Sequence, residues 1–564
     1  MIGHKSPISG VATYSDLFVA SAGYDNHVIL WDIRTGRALS RGSHDHLVNH
    51  CAFNADGTSL VTSSSDYTAR VWKLPCLSLQ AVLKDHDDDV EMAVFHPSKD
   101  LIATASRDHC VRVYSKDGLL LKKFKGHTAD VISVEWIAGS TELISSGDDG
   151  TIRRWSLNED SETQIYDLEG VETDTIVVTP VGVIYAGTDS GEIVALLGGA
   201  RSSTMSHSAG IKRLAYSDRL QMLVSLSYDR TLKIWNCFET GLTLVKETDI
   251  PPDVWPRSCA FGPNNSLIFG SFGARYRQYY FKDDFWDTPA PLTFGINAVC
   301  VFNGARYTIG DAGILWRNGV KHRELGSLCN FLVPWGSCLL TGGQNGVLFD
   351  AFSGETIFEH DSPLNCGTTY TVEGEQRAVI GTYTGEGLVF RRSNSTSKIE
   401  ILASLNLHSN AVKGLAYAAG RLFSVCADTS CTWTDATTNV VQHHSPRSHC
   451  RIANACVALQ DNSFASVSRD KILRIWVGRQ SLEFITPHSH SIKCVAVDNS
   501  DRYIATGSYG GYVAIFDRIT HTWVLYDRSA FAGISSLFFD TESRCFIAST
   551  YDGNVVEVRN FETP

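Results

Sequence analysis

Short runs of alternating apolar and polar residues, separated by turn-forming residues, recur along the chain. The clearest case is the segment from Gly126 to Ser156, which contains the runs VISVEW and TIRRW and the turn Asp148-Asp149-Gly150. An alternation with a period of two predicts β-strands, and an Asp-Gly turn between two such runs predicts a hairpin. The segment therefore predicts a small antiparallel sheet, which needs a neighbour to bury its face.

The same pattern repeats with a period near 40 residues. The aspartates that align with the turn residue Asp149 recur mostly at spacings of 40 to 42 residues, and they are Asp25, Asp66, Asp108, Asp189, Asp229, Asp428, Asp470 and Asp552, with Gly510 in one equivalent place. A fixed period of about 40 residues with four short strands per unit is typical of β-propeller blades. From Asp25 to Asp552 the chain has room for about fourteen such blades.

The better-preserved repeats also share a histidine, a serine or threonine, and a tryptophan. The distance from the histidine to the hydroxyl residue is 18 residues in four repeats of the first half and again from His488 to Thr506. In these residues the chain resembles the WD40-repeat family, and the resemblance covers nearly all of its length. It implies hydrogen-bonded structural tetrads, since a buried Asp needs donors. The tetrads are His127, Ser145, Asp149 and Trp155; His44, Thr62, Asp66 and Trp72; and His207, Ser225, Asp229 and Trp235.

We therefore expect an all-β fold of two tandem seven-bladed WD40 β-propellers, because a single ring of fourteen blades would leave a wide hole. The first propeller is predicted over residues 1–282 and a second, more divergent one over 294–564. Residues 283–293, with Pro289 and Pro291, are predicted to be a linker or a crossing edge strand. The pattern encodes one strand fewer than fourteen complete blades need. Either the last blade lacks its outer strand or the segment before residue 294 crosses between the rings.

Composition limits the classes of partner and compartment. The formal charge of −12 argues against a general binder of nucleic acid or of anionic membranes. The N-terminal residues lack the layout of a signal peptide, and no long apolar run predicts a transmembrane helix. Fifteen cysteines in such a chain are typical of reduced, buried thiols. We expect a protein of the cytoplasm, or of the nucleus in a eukaryote.

No catalytic or cofactor motif stands out. The chain has no Walker loop, no GxSxG elbow and no HExxH motif, and the tetrads account for the Ser, His and Asp residues. His443, His444, His449 and Cys450 form the densest group of metal-ligating residue types. His449 lies 17 residues before Ser466 and fits a tetrad, and the chain contains no CxxC pair. We predict no enzymatic activity, no cofactor and no metal site.

Binding residues are predicted next to the tetrads. The resemblance implies that partners dock on the face formed by the tetrad loops, often at the residue before the turn aspartate. Tyr24, Arg107 and Tyr228 hold that place in the first propeller, and Arg469 and Tyr509 in the second. Tyrosine and arginine often anchor interfaces. The acidic run of Asp87, Asp88 and Asp89 would lie on the same face and attract a basic segment. The alternative is that these are solvated turn residues.

The resulting prediction is a non-catalytic protein-protein interaction scaffold that binds one or more proteins within a larger complex. It involves no membrane and no small-molecule substrate. In length and layout the chain is similar to the actin-interacting family of tandem propellers that assists cofilin. Actin-filament disassembly is therefore one alternative, and a ligand-sensing propeller module of an NTPase signalling complex is another.

Overall fold

The protein forms antiparallel β-sheets throughout the part of the chain that the structure describes. A computed structural model describes residues 3–160, 162–238, 241–289, 295–392, 399–559 and 561. These residues form 55 strands in fourteen sheets, and neighbouring strands of each sheet are consecutive in the chain. The chain divides into two compact units, Met1–Thr293 and Phe294–Pro564, called unit 1 and unit 2 below.

Unit 1 contains seven four-stranded sheets. In chain order, with the sheets separated by semicolons, the strands are β1 Ile8–Tyr14, β2 Phe18–Gly23, β3 His27–Asp32, β4 Ala38–Ser43; β5 Val48–Phe53, β6 Ser59–Ser64, β7 Ala69–Lys73, β8 Ser78–Leu83; β9 Val90–Phe95, β10 Leu101–Ser106, β11 Cys110–Ser115, β12 Leu120–Lys125; β13 Val131–Trp136, β14 Glu142–Gly147, β15 Thr151–Ser156, β16 Glu162–Asp167; β17 Thr175–Val178, β18 Ile184–Gly187, β19 Glu192–Leu197, β20 Ala200–Met205; β21 Ile211–Ser217, β22 Met222–Ser227, β23 Thr231–Phe238, β24 Gly241–Asp249; β25 Val254–Phe261, β26 Ser266–Ser271, β27 Arg277–Tyr280, β28 Phe285–Trp286.

Unit 2 contains six four-stranded sheets and a last sheet with three described strands. The strands are β29 Ile296–Phe302, β30 Ala305–Gly310, β31 Ile314–Arg317, β32 Val320–Glu324; β33 Val333–Trp335, β34 Cys338–Gly342, β35 Val347–Asp350, β36 Thr356–Glu359; β37 Leu364–Val372, β38 Glu375–Thr382, β39 Glu386–Arg392, β40 Ile399–Asn406; β41 Val412–Ala418, β42 Arg421–Cys426, β43 Cys431–Asp435, β44 Val441–Ser445; β45 Ala453–Ala458, β46 Phe464–Ser468, β47 Ile472–Val477, β48 Gln480–Ile485; β49 Ile492–Val497, β50 Tyr503–Ser508, β51 Tyr512–Asp517, β52 Thr522–Arg528; β53 Ile534–Asp540, β54 Cys545–Thr550, β55 Val555–Val558.

Each unit closes into a ring through the first strand of every sheet. In unit 1 these innermost strands pack on one another in succession, and β25 of the last sheet packs on β1 of the first. Thr13 Oγ1 donates to the main-chain oxygen of Phe261 at 2.6 Å across that closure. In unit 2, β53 packs on β29 in the same way. The predicted all-β fold of two seven-bladed propellers is therefore confirmed.

The apolar core lies between neighbouring sheets rather than within one. One cluster joins Val94 of the third sheet and Phe124 at its outer strand to Trp155 of the fourth sheet, and the side chain of Trp155 is fully buried. The strand β14 is buried along almost its whole length, whereas the outer strand β16 alternates between partly buried and exposed residues. This difference follows because inner strands have a neighbouring sheet on both faces and outer strands contact solvent.

The Asp-Gly turn of the fourth sheet has a steric cause. Gly150 has φ of +70°, which favours glycine, and a Cβ built there would lie 2.6 Å from the Cα of Gly170. Asp149 Oδ1 accepts hydrogen bonds from Thr151 N at 3.0 Å and Thr151 Oγ1 at 2.7 Å. The turn is therefore held by its aspartate and requires the glycine that follows it.

The segment before unit 2 begins as the edge of unit 1. Strand β28 pairs with β27 and completes the seventh sheet. Trp286 stacks on Tyr279 with 4.7 Å between ring centroids, and Asp287 Oδ1 accepts from Arg277 Nε at 2.8 Å. The pair Trp286-Asp287 therefore fastens the outer edge of the seventh sheet. Pro291 lies outside the described residues.

The last sheet of unit 2 has three strands in its described part, which is the first of the two arrangements considered from the sequence. Phe561 follows β55 and is 3% exposed. Its ring lies 5.2 Å from that of Tyr503 and 5.2 Å from that of Phe546, so it covers apolar surface of the last two sheets. In the described part of the chain no helix has the length and apolar character needed to cross a membrane.

Candidate functional site

The residues aligned by the repeat form hydrogen-bonded networks at one end of the sheets. In the fourth sheet, His127 Nδ1 lies 2.9 Å from Asp149 Oδ2 and His127 Nε2 lies 2.8 Å from Ser145 Oγ. Trp155 Nε1 donates to the same Ser145 Oγ at 2.8 Å. Because a carboxylate only accepts, Nδ1 of His127 carries the proton and Nε2 accepts from the serine. The network ties the loop entering the sheet to the turn of its hairpin.

The other two predicted tetrads have the same geometry. Their four hydrogen-bonded side chains are joined at 2.7–3.0 Å, and they are His44, Thr62, Asp66 and Trp72, and His207, Ser225, Asp229 and Trp235.

The first sheet contains a further complete network that the fixed spacing of 18 residues did not reveal. His4 Nε2 lies 2.8 Å from Ser21 Oγ, and His4 Nδ1 lies 2.9 Å from Asp25 Oδ1. Trp31 Nε1 donates to Ser21 Oγ at 2.7 Å. Here the histidine precedes the serine by 17 residues. The Trp-Asp pair that begins with Trp31 was the signal that could have identified it.

These networks contain the three residue types of a hydrolytic triad, but they are closed to substrates. Ser145 is fully buried and His127 is 6% exposed. The hydroxyl of Ser145 already accepts from an indole and contacts the imidazole. A nucleophile must be reachable and must be activated by its base in the presence of substrate. The tetrads therefore hold the fold together.

Arg107 is the residue before the turn aspartate of the third sheet, and it is the centre of an ion-pair network. It lies at the end of the first ring that carries the turn aspartates, and this end of a ring is called its mouth below. Its Nε lies 2.5 Å from Glu91 Oε1, and its Nη1 lies 2.5 Å from Asp130 Oδ2. Arg257 Nη2 reaches the other oxygen of Glu91 at 3.2 Å. The network joins three sheets, and the side chain of Arg107 is 14% exposed. Arg107 therefore presents a partly exposed guanidinium in a fixed orientation.

Tyr24 and Tyr228 lie on the same mouth and are partly buried. The ring of Tyr24 packs edge-on against Trp255 at 5.1 Å between centroids. Lys212 Nζ lies 5.2 Å from the centroid of Tyr228 and 2.6 Å from carboxylate oxygens of two aspartates. Burial alone would lower the pKa of Arg257, but Tyr24, Glu91 and Tyr228 raise it, so these groups converge on one guanidinium.

The acidic side of this mouth contains a carboxyl group in an unusual state. Burial, together with the neighbouring Asp130 and Glu172, raises the pKa of Asp148 well above its ordinary value. Asp148 is the residue before the turn aspartate of the fourth sheet. The mouth of the first ring therefore carries arginine and lysine cations beside a group of crowded carboxyl groups.

The acidic run after His86 does not present three carboxylates to a partner, and this corrects the sequence-based expectation. Asp87 is exposed, whereas Asp88 and Asp89 are 2% and 1% exposed. Asp89 Oδ2 accepts from Ser65 Oγ at 2.9 Å, and Asp88 Oδ1 accepts from the amide of Asp89 at 2.8 Å. The two carboxylates turn inward because protein donors are available there, so only Asp87 is placed to attract a basic segment.

Arg469 and Tyr509 lie together at the mouth of the second ring. The guanidinium carbon of Arg469 lies 6.0 Å from the centroid of the Tyr509 ring. Tyr509 is 7% exposed and stacks on Tyr551 with 5.9 Å between centroids. Its ring is therefore mostly covered by its neighbours, and Arg469 and Lys493 are the more accessible groups of this part of the mouth.

The residues considered for a metal do not come together. His449 Nε2 lies 2.9 Å from Ser466 Oγ in a tetrad, and His443 and His444 are consecutive on β44, so their side chains leave opposite faces. In the described residues, His408, Cys426 and Asp428 do have ligand atoms within 4.8 Å of one another. Both ring nitrogens of His408 are already within 2.8 Å of serine hydroxyls. Burial raises the pKa of the Cys426 thiol, which disfavours the thiolate that a metal needs.

One family model matches several of the repeats. The family model described as WD domain, G-beta repeat matches residues 1–32, 38–73, 77–115, 118–156, 199–236 and 479–517. Five of these segments lie in unit 1 and one lies in unit 2. The matches are densest where the tetrads are best preserved.

Curated relatives align with parts of the chain. The nuclear distribution protein nudF of Aspergillus niger is 30% identical over 184 residues, covering 28% of this chain and 41% of nudF. The nuclear distribution protein PAC1 of Arthroderma otae is 27% identical over 283 residues, covering 47% of this chain and 57% of PAC1. The ribosome biogenesis protein WDR12 homolog of Drosophila mojavensis is 24% identical over 274 residues, covering 42% of this chain and 63% of the WDR12 homolog. The chain thus spans less than two thirds of each relative.

Among solved structures, the crystal structure of RRP9 WD40 repeats aligns with a TM-score of 0.44 at 18% identity. The alignment covers 48% of this chain and 88% of that chain.

We expect Asp149→Ala to lower the free energy of unfolding by about 1–3 kcal/mol, because it leaves His127 and the amide of Thr128 without their acceptor. Chemical denaturation followed by tryptophan fluorescence measures this change. Asp117→Ala, at an exposed turn of unit 1, is the control and should change little. An unchanged unfolding midpoint for Asp149→Ala would contradict the structural role of the network.

We also expect acid to weaken the fold through Asp229. Burial would raise the pKa of Asp229, but hydrogen bonding and charge from His207 lower it from 3.8 to about 2. A carboxyl group with a depressed folded-state pKa stabilises the fold above its unfolded pKa and loses that contribution as the pH falls through the folded value. The loss for this residue is about 2 kcal/mol between about pH 5 and pH 2.

Urea denaturation at several pH values between these limits tests this expectation. Asp229→Asn lacks the titrating group, so its unfolding free energy should depend less steeply on pH than that of the wild type. Asp117→Asn should keep the wild-type slope. Equal slopes for Asp229→Asn and the wild type would show that the carboxylate of Asp229 is not stabilised as proposed.

Proposed function

We propose that this WD40-repeat protein is a non-catalytic scaffold that binds partner proteins at the mouth of its first ring, as part of a larger complex. The binding surface comprises Tyr24, Arg107 and Tyr228 with the groups that position them. We place the protein in the cytoplasm, or in the nucleus of a eukaryote. Its ligands are proteins rather than small-molecule substrates, and the net charge of −12 disfavours nucleic acid.

The observation that carries this proposal is the convergence of tyrosine and arginine side chains on one rim with fixed orientations. Arg107 is held by carboxylates of two neighbouring sheets, and Tyr24 is held by Trp255. Side chains that are ordered before binding lose less conformational entropy when a partner arrives. Tyrosine and arginine also bury a large area while keeping a polar end, which suits the anchors of an interface.

The relatives support a scaffold more than a shared reaction. Their printed names refer to nuclear distribution and ribosome biogenesis, and none of the three names an enzyme. These names describe different processes, so what the proteins have in common is the repeat. Actin-filament disassembly and NTPase ligand sensing stay predictions without an observation in their favour.

The proposal predicts that a variant with Tyr24→Ala, Arg107→Ala and Tyr228→Ala loses specific partners. Affinity purification of the tagged full-length chain from its native cells, followed by mass spectrometry, compares this variant with the wild type. The matched control replaces Leu79, Leu121 and Ile165, which are exposed on outermost strands, with alanine. The control should keep every partner of the wild type.

Thermal unfolding establishes that the variant is folded. Should Arg107→Ala unfold the chain by leaving Asp130 without its arginine, the double change of Tyr24→Ala and Tyr228→Ala leaves the ion pairs of Arg107 in place. A folded variant that retains all wild-type partners would mean that this rim is not the binding surface.

A further inference from the structure

The second residue of the innermost strand makes the same hydrogen bond in several sheets of unit 2. In several sheets it is an asparagine whose Nδ2 donates to the main-chain carbonyl at the start of the next sheet. The pairs and distances are Asn297 to Cys329 at 3.1 Å, Asn365 to Val412 at 2.6 Å and Asn454 to Ile492 at 2.6 Å. Asn330, which lies just before β33, makes the same kind of contact with Leu364 at 2.8 Å. Asn49 makes the same contact with Val90 in unit 1, at 3.0 Å. At this position the side chain links neighbouring sheets.

Lys413 and Lys493 occupy this position in two sheets and do not make the link. They are the second residues of β41 and β49. Within the described residues, neither ammonium group has a hydrogen bond or a carboxylate at salt-bridge distance. Both side chains are partly buried. Both amino groups are therefore open to a ligand at the mouth of the second ring.

The surroundings of Lys413 contain cations and aromatic rings. Its Nζ lies 4.6 Å from the centroid of the Tyr383 ring, which is a cation–π distance. Burial lowers the pKa of Lys413 to about 7, and the charges of Lys493 and Arg469 add to this effect. Lys413 and Lys493 hold equivalent places on β41 and β49, at the same end of the ring. In agreement with this, burial raises the pKa of the Cys366 thiol and the charges of both lysines oppose that rise.

Arg469 completes a set of three cations. It precedes the turn of the sheet that begins with β45, and this sheet lies between the sheets of Lys413 and Lys493. Its guanidinium faces the ring of Tyr509. We call Lys413, Arg469 and Lys493 the cationic mouth. Three consecutive sheets thus present like charges to one opening, with tyrosine rings on both sides.

The charge of Lys493 disfavours the protonated form of Lys413, and a ligand with negative groups would relieve the repulsion between these two lysines. Carboxylates form charge-assisted hydrogen bonds with lysine and arginine, stronger than neutral ones. The cations come from separate sheets, so an extended segment with several carboxylates meets them better than a single anion does. A long nucleic acid would also contact the rest of a chain with a formal charge of −12, which repels it.

We propose that the cationic mouth of the second ring receives a peptide segment of a partner protein that carries adjacent Asp or Glu side chains. Lys413 and Lys493 stand where asparagine elsewhere links the sheets, and they meet the carboxylates instead. This inference rests on the scaffold function proposed above, and it assigns that function a second surface with its own chemistry.

The test uses the full-length chain and a fluorescein-labelled peptide with a central run of alternating Asp and Glu, followed by fluorescence anisotropy. A peptide of the same length with Asn and Gln in those places measures the contribution of charge. We expect the wild-type protein to bind the acidic peptide, and to bind the neutral peptide at least tenfold more weakly. Binding should also weaken as salt is raised.

The decisive variant is Lys413→Asn with Lys493→Asn, which removes both charges and introduces the residue that links sheets elsewhere in unit 2. It should fold with an unfolding midpoint no lower than that of the wild type and bind the acidic peptide at least tenfold more weakly. The control, Lys321→Asn with Arg479→Asn, removes the same charge from exposed outer positions of unit 2 and should bind as the wild type does.

Several results would overturn the proposal. These are no binding of the acidic peptide by the wild type, equal binding by the Lys413/Lys493 variant, or equal loss in the outer control. Tighter binding of a phosphoserine peptide or of a single-stranded oligonucleotide than of the acidic peptide would also replace it with a phosphate ligand.

The outcome is separable from that of the first-ring proposal. The variant of Tyr24, Arg107 and Tyr228 should still bind the acidic peptide at wild-type strength. If that variant keeps all cellular partners while the lysine variant loses the peptide, the first-ring proposal fails and this one stands. If the first-ring variant loses cellular partners while the lysine variant still binds the peptide, only the inference about the cationic mouth is wrong.

Discussion

The structure depends on one constraint, which is that the inner strands of each sheet must be covered on both faces. Strand β14 is buried along almost its whole length, and Trp155 is buried against the sheet before it. A sheet with this pattern exposes a large apolar area until it has two neighbours, and at about 25 cal/mol per Å² that exposure is costly. Only a closed arrangement gives every sheet two neighbours. Closure of β1 on β25, and of β29 on β53, therefore follows from the burial pattern rather than from any special joint.

Closure also decides where the chain is free to vary. The inner side chains are committed to packing, and the histidine, serine and aspartate of each preserved repeat are committed to the tetrad. The residue before the turn aspartate and the second residue of the innermost strand remain, and both lie at the mouth of the ring. In unit 1 these places carry opposite charges that neutralise one another, as in the pairing of Arg107 with Glu91. In unit 2 the asparagines at this place hydrogen-bond to the next sheet, whereas Lys413 and Lys493 do not.

Much of this fold could be predicted from the sequence, because the period and the tetrads are local signals. The turn aspartate and the 18-residue spacing identify most sheets of unit 1, where the family model also matches. The spacing failed for His4, because the hairpin between β1 and β2 is one residue shorter than that between β5 and β6, although the contacts of His4 with Ser21 and Asp25 are the same. The burial of Asp89 could not be predicted, because it depends on a donor that a neighbouring sheet supplies.

The cationic mouth shows why a net charge is a poor guide to a local surface. A formal charge of −12 describes the average over the chain, and it makes a basic site less expected. The field at the mouth depends on the few groups that face it, since charges farther than about 10 Å away are largely screened at moderate salt. Lys413, Arg469 and Lys493 are far apart in sequence and come together only because three sheets are consecutive in a ring. The departure of the two lysines from the asparagine pattern becomes visible only once the register of the innermost strands is known. The contacts between sheets, rather than composition, therefore determine what this end of the second ring can bind.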